Sequence, residues 1–168
     1  MAYNFDADML AVQRIPGISE MLDELCRCTG MGFAAVARVT ADRWVACQLV
    51  DRIEFGMSPG DELEINTTIC NEIRQSGKGV FIDHVGADAD WRTHHTPALY
   101  GFESYVSVPI VLGDGSFFGT LCAIDPAPRV RPLANVAAQV EAMSARIGEA
   151  LDRMRSSDTA IAYGGASR

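Results

Sequence analysis

The sequence has few basic residues. Lys and Arg number 14 against 22 Asp and Glu in 168 residues, which gives a net charge of −8. Nucleic acids and anionic membrane surfaces bind through clustered Lys and Arg, so this balance disfavours both as partners. The chain also lacks an apolar run of the ~20 residues that a membrane span requires, and its first ten residues carry no basic side chain. We therefore expect a cytoplasmic protein with neither nucleic acid nor membrane as a partner.

Five cysteines are present, and their spacing matches no metal or redox motif. Cys26 and Cys28 form C-x-C rather than the C-x-x-C of zinc and thioredoxin sites. We expect the thiols to be reduced and mostly buried. The sequence also lacks a glycine-rich phosphate loop and a recognisable Ser-His-Asp spacing. From these absences we expect that the protein has no metal site and is not an enzyme.

What the sequence does contain suits one globular domain, because 48% of its residues are apolar. We expect an N-terminal extension over residues 1–14, a domain over residues 15–155 and a flexible tail over residues 156–168. A first helix, antiparallel strands with inserted short helices, and a closing helix predict an α+β fold. The pair Asp114-Gly115, flanked by β-branched and aromatic runs, predicts a two-residue hairpin turn.

The closing helix, predicted over residues 132–155, carries a seven-residue repeat of apolar side chains. One interpretation is that this face packs on the domain's own sheet. The other, which we favour from the repeat, is that the helix pairs with its copy in a homodimer and passes a signal onward. The predicted dimer interface consists of Val136, Val140, Met143, Ile147 and Met154.

Residues 91–110 concentrate aromatic side chains and two adjacent histidines, and His84 lies just upstream. Adjacent side chains point apart on a strand and diverge by about 100° on a helix, so one metal ion would not bind both His94 and His95. The Thr96-Pro97 pair that follows favours a histidine cap on the next helix. We expect one histidine to face inward and the other to face water. A catalytic centre, a ligand pocket and ordinary core remain as alternatives.

Two stretches of the sequence, "TTICNEIRQSGKGVFIDHVGADADWR" and "YGFESYVSVPIVLGDGSFFGTLCAIDPAPR", resemble the GAF domain family over residues 15–155. The similarity is greatest to the N-terminal sensory GAF domains of bacterial signalling proteins, especially sensor histidine kinases. The resemblance implies a six-stranded antiparallel sheet with terminal helices on one face and, on the other, a pocket roofed by short helices and loops. The segment matching residues 84–104 would form that roof.

The resemblance further implies a sensory domain that binds a small molecule and signals through its terminal helices in a dimer, to a histidine kinase or another output module. Two groups of this family use a cysteine in the roof segment: the free methionine sulfoxide reductases, which are enzymes, and the cyanobacteriochromes, which carry a pigment. Residues 91–104 contain no cysteine. Noncovalent haem, with a histidine as axial ligand, stays an alternative. The ligand and any cofactor stay unknown. The predicted ligand-binding residues are His84, Trp91, His94, His95, Tyr100, Phe102, Tyr105, Ser107 and Cys70.

Overall fold

The secondary structure alternates helices with six strands of one antiparallel sheet. The computed structural model describes the backbone of residues 4–164 and the side chains of residues 4–156. The strands lie in the order β3-β2-β1-β6-β5-β4. In chain order the elements are α1 (Phe5–Gln13), α2 (Ile18–Thr29), β1 (Phe33–Val39), β2 (Trp44–Asp51), β3 (Glu62–Leu63), α3 (Ile69–Ser76), β4 (Val80–Ile82), α4 (His95–Tyr100), β5 (Ser104–Val111), β6 (Phe117–Asp125) and α5 (Ala137–Gly164).

The helices divide between the two faces of the sheet. Side chains of α1, α2 and α5 join those from one face of β1, β5 and β6 in the larger hydrophobic core. Side chains of α3 and the segment around α4 join those from the opposite face in a smaller core. Because successive residues of a strand point to opposite faces, each central strand contributes to both cores. The α+β fold with terminal helices on one face is therefore confirmed.

The sequences of α2 and α3 show why each helix forms and where it ends. In α2, Ile18, Leu22 and Leu25 share the buried face, and the helix ends at Gly30. In α3, Ile69 and Ile73 share the buried face. Gly77 ends α3 in the left-handed region with φ of 70°, a conformation that glycine adopts without steric cost.

The predicted two-residue turn of the β5–β6 hairpin is wrong. The strands end at Val111 and resume at Phe117, so the connection is longer than the pair Asp114-Gly115. Asp114 accepts hydrogen bonds from both the backbone N–H and the hydroxyl of Ser116. The Leu112 N–H donates to the Ser116 carbonyl, so the strands stay paired up to the turn, and the Gly115 N–H donates to the Leu112 carbonyl within it. A two-residue type I′ turn needs a positive φ at both central residues, and Asp114 does not have one.

The predicted N-terminal extension contains a helix that packs on the sheet. Val12 of α1 is fully buried, and Asn4 caps the helix by accepting a hydrogen bond from the Ala7 N–H. Asp8 of α1 forms an ion pair with Arg38 of β1 at 2.9 Å, and only 7% of the Arg38 side chain is exposed. Residues 1–3 lie outside the described part of the chain. Helix α1 is therefore part of the domain's packing.

Replacing Asp8 by alanine is expected to lower the free energy of unfolding by ~2–3 kcal/mol, because a buried guanidinium loses its anionic partner. Urea denaturation followed by circular dichroism measures the change. Asp6→Ala removes the same charge from an exposed position in the same helix. It should change stability by less than ~0.5 kcal/mol. Equal effects of the two variants would contradict the structural role of the ion pair.

The apolar repeat of α5 faces the chain's own core, which corrects the predicted dimer interface. Val140, Met143 and Ile147 are at most 1% exposed and belong to the larger core. Val136 and Met154 are partly buried against the same core. A heptad repeat marks one helix face but does not distinguish a sheet from a second helix as the surface that covers it. Val140, Met143 and Ile147 are therefore not available to a partner chain in this conformation.

Helix α5 continues beyond the predicted start of the tail at residue 156 and extends to Gly164. Residues 165–168 lie outside the described part of the chain. Within residues 4–164, no helix combines the length and apolar character needed to cross a membrane.

Two glycines allow unusually close contacts between backbones. A Cβ atom at Gly119 of β6 would collide with the carbonyl oxygen of Ala37 on β1. A Cβ atom at Gly148 of α5 would lie 2.6 Å from the carbonyl oxygen of Val111, at the end of β5. Both contacts would be shorter than van der Waals contact. The packing of β1 on β6, and of α5 on the end of β5, therefore requires a residue without a side chain at each of these two positions.

Candidate functional site

Two adjoining spaces lie between the sheet and the α3–α4 side of the domain. We call the smaller space, of about 50 Å³, the inner cavity, and the larger space beside it, of about 700 Å³, the outer groove. The inner cavity is lined by Phe33, Trp44, Phe55, Met57, Leu63, Thr68, Ile69, Cys70, Thr96, Tyr100, Phe102, Tyr105, Cys122 and Ile124. The outer groove is lined by Ile53, Glu54, Phe55, Gly56, Met57, Asp61, Glu62, Leu63, Leu99, Tyr100, Gly101, Phe102, Ile124 and Pro126.

The strand pattern explains the floor of the inner cavity. Cys122 and Ile124 are two residues apart on β6, so both point to the same face of the sheet. Tyr105 of β5 lies beside Ile124 in the antiparallel register and faces the same way. Helix α3 supplies Cys70 to the opposite wall, and its apolar residues on the buried face fix the helix against the sheet.

The polar side chains in the roof are already hydrogen-bonded within the protein. Thr67 donates its hydroxyl proton to the Glu64 carbonyl at 2.6 Å, so the Tyr100 hydroxyl, 2.5 Å from the Thr67 oxygen, is the donor of that second bond. Thr96 donates its hydroxyl to the Thr67 carbonyl, and Thr68 donates its hydroxyl to the Ile65 carbonyl. These pairings leave the roof with little capacity to bind a polar ligand atom.

Thiol and hydroxyl groups cluster at the other end of the inner cavity. The Cys70 sulfur lies 3.2 Å from the hydroxyl oxygen of Thr120, 3.6 Å from that of Tyr105 and 3.9 Å from that of Ser107. The indole of Trp44 is buried, and its N–H is directed at the same sulfur as a weak hydrogen-bond donor. The polar contacts at this end of the cavity therefore converge on Cys70.

The two buried thiols have opposite pKa shifts. A hydrogen bond from Cys122 is the largest cause that lowers the pKa of Cys70, to about 6, and it acts against the effect of burial. Hydrogen bonds from the hydroxyl of Thr120 and the indole N–H of Trp44 lower the pKa of Cys70 further. The same bond to Cys70, together with burial, raises the pKa of Cys122 well above its usual value. The Cys70 sulfur is therefore the hydrogen-bond acceptor of this group.

The structure brings together only part of the predicted ligand-binding set. Cys70, Tyr100, Phe102 and Tyr105 line the inner cavity. Ser107 is fully buried beside them and reaches the Cys70 sulfur. The remaining four predicted residues line neither the inner cavity nor the outer groove: His84, Trp91, His94 and His95.

The adjacent histidines have structural partners instead. His94 Nδ1 accepts a hydrogen bond from the Thr96 N–H at the start of α4, so the ring proton is on Nε2, which donates to Glu72 at 3.0 Å. His95 is exposed and donates from Nε2 to the Asn66 carbonyl. The predicted cap at this position is confirmed for His94. Among residues 4–156, no three His, Cys, Asp or Glu side chains converge as metal ligands do.

Several residues of the site carry no recognisable signal in the sequence. Trp44 and Cys122 have the pattern of ordinary strand residues, and only the fold shows that both face the same cavity as Cys70. Phe55 and Met57 come from the irregular segment between β2 and β3, which has no periodicity to interpret. The position of the Trp44 indole beside the Cys70 sulfur is a property of the packed structure and has no counterpart in sequence.

The GAF domain model matches residues 18–151, and the chain therefore belongs to the GAF domain family. No curated protein matches it. Solved structures with a similar fold include the blue-light absorbing form of the Thermosynechococcus elongatus PixJ GAF domain, with a TM-score of 0.69 and 12% identity over 89% of this chain and 90% of that one. GAF domains are mostly sensory, and this fold is the one that the sequence resemblance implies.

Two further neighbours differ in their described roles. The type II free methionine-R-sulfoxide reductase of Thermoplasma acidophilum has a TM-score of 0.62 and 9% identity over 86% of this chain and 96% of that one. A methyl-accepting chemotaxis protein, residues 122 to 287, has a TM-score of 0.61 and 17% identity over 89% of this chain and 98% of that one. At these identities the likeness concerns the fold alone, and a function has to be argued from the site.

Proposed function

We propose that this protein is a cytoplasmic sensory domain that binds a small molecule in the inner cavity. The observation that carries the proposal is the mostly apolar space between the sheet and its roof, with the Cys70 thiol and the hydroxyls of Thr120 and Tyr105 at one end. Ligand sites in proteins are commonly apolar pockets in which a few polar groups fix the orientation of the ligand. The adjoining outer groove gives such a molecule a route in from solvent.

Strand β5 offers a path from the cavity to the closing helix. Tyr105 and Ser107 face the cavity side, whereas Val106, Val108 and Ile110 pack in the core with α5. Ser144 of α5 also donates its hydroxyl to the Pro109 carbonyl at 2.6 Å. A ligand that displaces Tyr105 would therefore move the strand on which α5 rests. We propose that this displacement biases two arrangements of the terminal helices.

The output step of the proposal is a homodimer that acts on a histidine kinase or another signalling module. Because the apolar face of α5 is used within the chain, the dimer contact would involve the exposed faces of the terminal helices. Ala142 and Glu149 of α5 are exposed residues of this kind. The support for the dimer is the sensory character of the family, and size-exclusion chromatography with light scattering tests it.

Haem binding, bilin attachment and sulfoxide reduction find no support in the described residues. No histidine lines either space, which leaves haem without an axial ligand, and the roof stretch 91–104 has no cysteine for a bilin or for sulfoxide reduction. The inner cavity, at about 50 Å³, would hold only a small part of a tetrapyrrole. We therefore propose a binding domain rather than an enzyme or a pigment protein.

Native mass spectrometry of the purified protein tests ligand binding. We expect an additional mass that is retained under native conditions and lost on denaturation. Cys122→Leu, which extends a wall residue into the cavity, should abolish this mass. Cys28→Leu, a partly buried position on α2 and outside both spaces, should retain it. A wild-type protein that carries no additional mass, and gains none from a small-molecule cell extract, would contradict the proposal.

A further inference from the structure

We infer that Cys70 and Cys122 form a dithiol site in the inner cavity, where hydrogen peroxide oxidises the two thiols to a disulfide. Such a site is a place of chemical modification. It goes beyond the proposed ligand binding and does not depend on it, because peroxide is a transient reactant rather than a retained ligand. The inference follows from the contact between the two sulfurs, from the donors around Cys70 and from the size of the cavity.

The two thiols lie next to each other in the cavity wall. Cys122 donates a hydrogen bond to the Cys70 sulfur. Ser107 confirms that the two residues are close, because its hydroxyl lies 3.9 Å from the Cys70 sulfur and its register partner on β6 is Cys122. Cys70 and Cys122 are therefore the pair from which a disulfide can form across the cavity. The other three cysteines lie in or against the larger core, on the opposite face of the sheet: Cys26, Cys28 and Cys47.

The surroundings of Cys70 favour its thiolate, the form that attacks a peroxide. The hydroxyl oxygens of Thr120 and Tyr105 lie 3.2 Å and 3.6 Å from the sulfur, and the Trp44 indole N–H is directed at it. Cys70 is also the second residue of α3, and the first turn of a helix stabilises negative charge. Cys122, whose pKa is raised, stays a thiol. Cys70 is therefore the attacking sulfur, and Cys122 is the sulfur that resolves the first product.

The size of the cavity selects a small oxidant. The inner cavity, at about 50 Å³, exceeds the ~30 Å³ that one water occupies in the liquid, so it admits a molecule as small as hydrogen peroxide. Phe55, Tyr100 and Ile124 line both this cavity and the outer groove, which gives peroxide its route from solvent. The groove lining includes the carboxylates of Glu54 and Asp61, which repel an anionic oxidant but not uncharged peroxide.

The oxidation takes two steps. In the first, the Cys70 sulfur attacks one oxygen of the peroxide, an S–O bond forms and the O–O bond breaks. The departing hydroxide takes up the proton that the Cys70 thiol gave up, which leaves a sulfenic acid and one water. In the second, the Cys122 sulfur attacks the Cys70 sulfur, the S–S bond forms, and the hydroxyl group leaves with the Cys122 proton as a second water. Two thiols and one hydrogen peroxide thus give one disulfide and two waters.

The disulfide would join helix α3 of the cavity wall to the central strand β6. Leu121 and Ala123, on either side of Cys122, pack in the larger core with the terminal helices. A covalent bond at Cys122 would therefore fix α3 against the strand on which those helices rest. Oxidation of the cavity would in this way reach the opposite face of the sheet.

The experiment treats the reduced full chain with hydrogen peroxide and then blocks the remaining thiols with N-ethylmaleimide. Peptides prepared without reductant are identified by mass spectrometry. We expect a Cys70–Cys122 disulfide in most molecules, while Cys28, which is the more exposed thiol, stays reduced. Dithiothreitol should restore both thiols.

Three variants assign the roles of the two sulfurs. Cys122→Ser should stop at the sulfenic acid, which dimedone traps on Cys70. Cys70→Ser should abolish the oxidation of Cys122. Cys28→Ser is the matched control and should leave the yield of the disulfide unchanged, because Cys28 lies outside both spaces. Circular dichroism checks that each variant is folded, and the wild-type result decides the inference where a variant is not.

Oxidation of Cys28 ahead of Cys70 would overturn the dithiol site. A Cys70 sulfinic acid beside a free Cys122 thiol, or no oxidation of Cys70, would overturn it as well. None of these results changes the mass that the reduced protein retains in native mass spectrometry, so the proposed ligand binding would stand. A protein that forms the disulfide but retains no additional mass would reject the proposed function and support the dithiol site.

Discussion

Replacing Ile147 by aspartate is expected to leave no folded domain. The side chain is fully buried in the core between α5 and the sheet, with Leu22 and Phe118 in the same cluster. Asp would place a charge, or a carboxyl group without a partner, in an apolar environment. We expect a loss of ~5 kcal/mol or more, comparable to the whole stability of a small domain. Circular dichroism and heating would then show no cooperative unfolding transition.

The matched control for Ile147→Asp is Ala142→Asp on the same helix. Ala142 is exposed, so the substitution should cost ~0.5 kcal/mol, mainly through helix propensity. If the exposed face of α5 forms the proposed dimer, this variant should be a folded monomer in light scattering. A folded, monomeric Ile147→Asp variant beside a dimeric wild type would restore the interface role that the repeat predicted.

Replacing Gly119 by alanine is expected to destabilise the sheet by ~3 kcal/mol or more, because no side-chain rotation relieves a collision between a Cβ and a neighbouring backbone. The new methyl group would meet the Ala37 carbonyl and separate β1 from β6. Arg38 would lose its bond to the Phe118 carbonyl as the strands move apart. Thermal denaturation should show a melting temperature ~6–12 °C lower than that of wild type.

Gly86→Ala provides the control for the glycine substitution. A Cβ at Gly86 would first meet the His84 side chain at 3.4 Å, and that ring is free to rotate away. The position has no positive φ, so alanine meets no backbone strain. Its unfolding free energy should stay within ~0.5 kcal/mol of wild type. A comparable loss in both variants would contradict the special role of the β1–β6 contact.

Much of the fold follows from local sequence patterns, because these patterns report burial. The stripes of α2 and α3 and the glycines that end them identify both helices correctly. The α5 repeat identifies a buried face but not its partner, since that depends on contacts far apart in sequence. The β5–β6 turn fails for a different reason, because an Asp-Gly pair also suits a longer turn in which only the glycine has a positive φ, and Gly115 alone has it here.

The candidate site was less accessible to sequence reasoning. Aromatic residues of α4 and β5 were predicted in the cavity wall, and Tyr100, Phe102 and Tyr105 lie there. The histidines, although chemically prominent, are used for capping and surface contacts. Trp44 was missed because its position beside Cys70 depends on contacts between residues far apart in sequence. Hydrogen-bond satisfaction is determined by three-dimensional neighbours, and residue type alone does not show it.

The close approach at Gly148 has a consequence for how α5 would move. At that point the helix meets the end of β5 with backbone against backbone and without an interlocking side chain. Such a contact resists separation, because both partners would lose close packing, yet it presents no ridge that opposes sliding. We therefore expect α5 to slide parallel to its own axis at this glycine rather than to pivot away from the sheet.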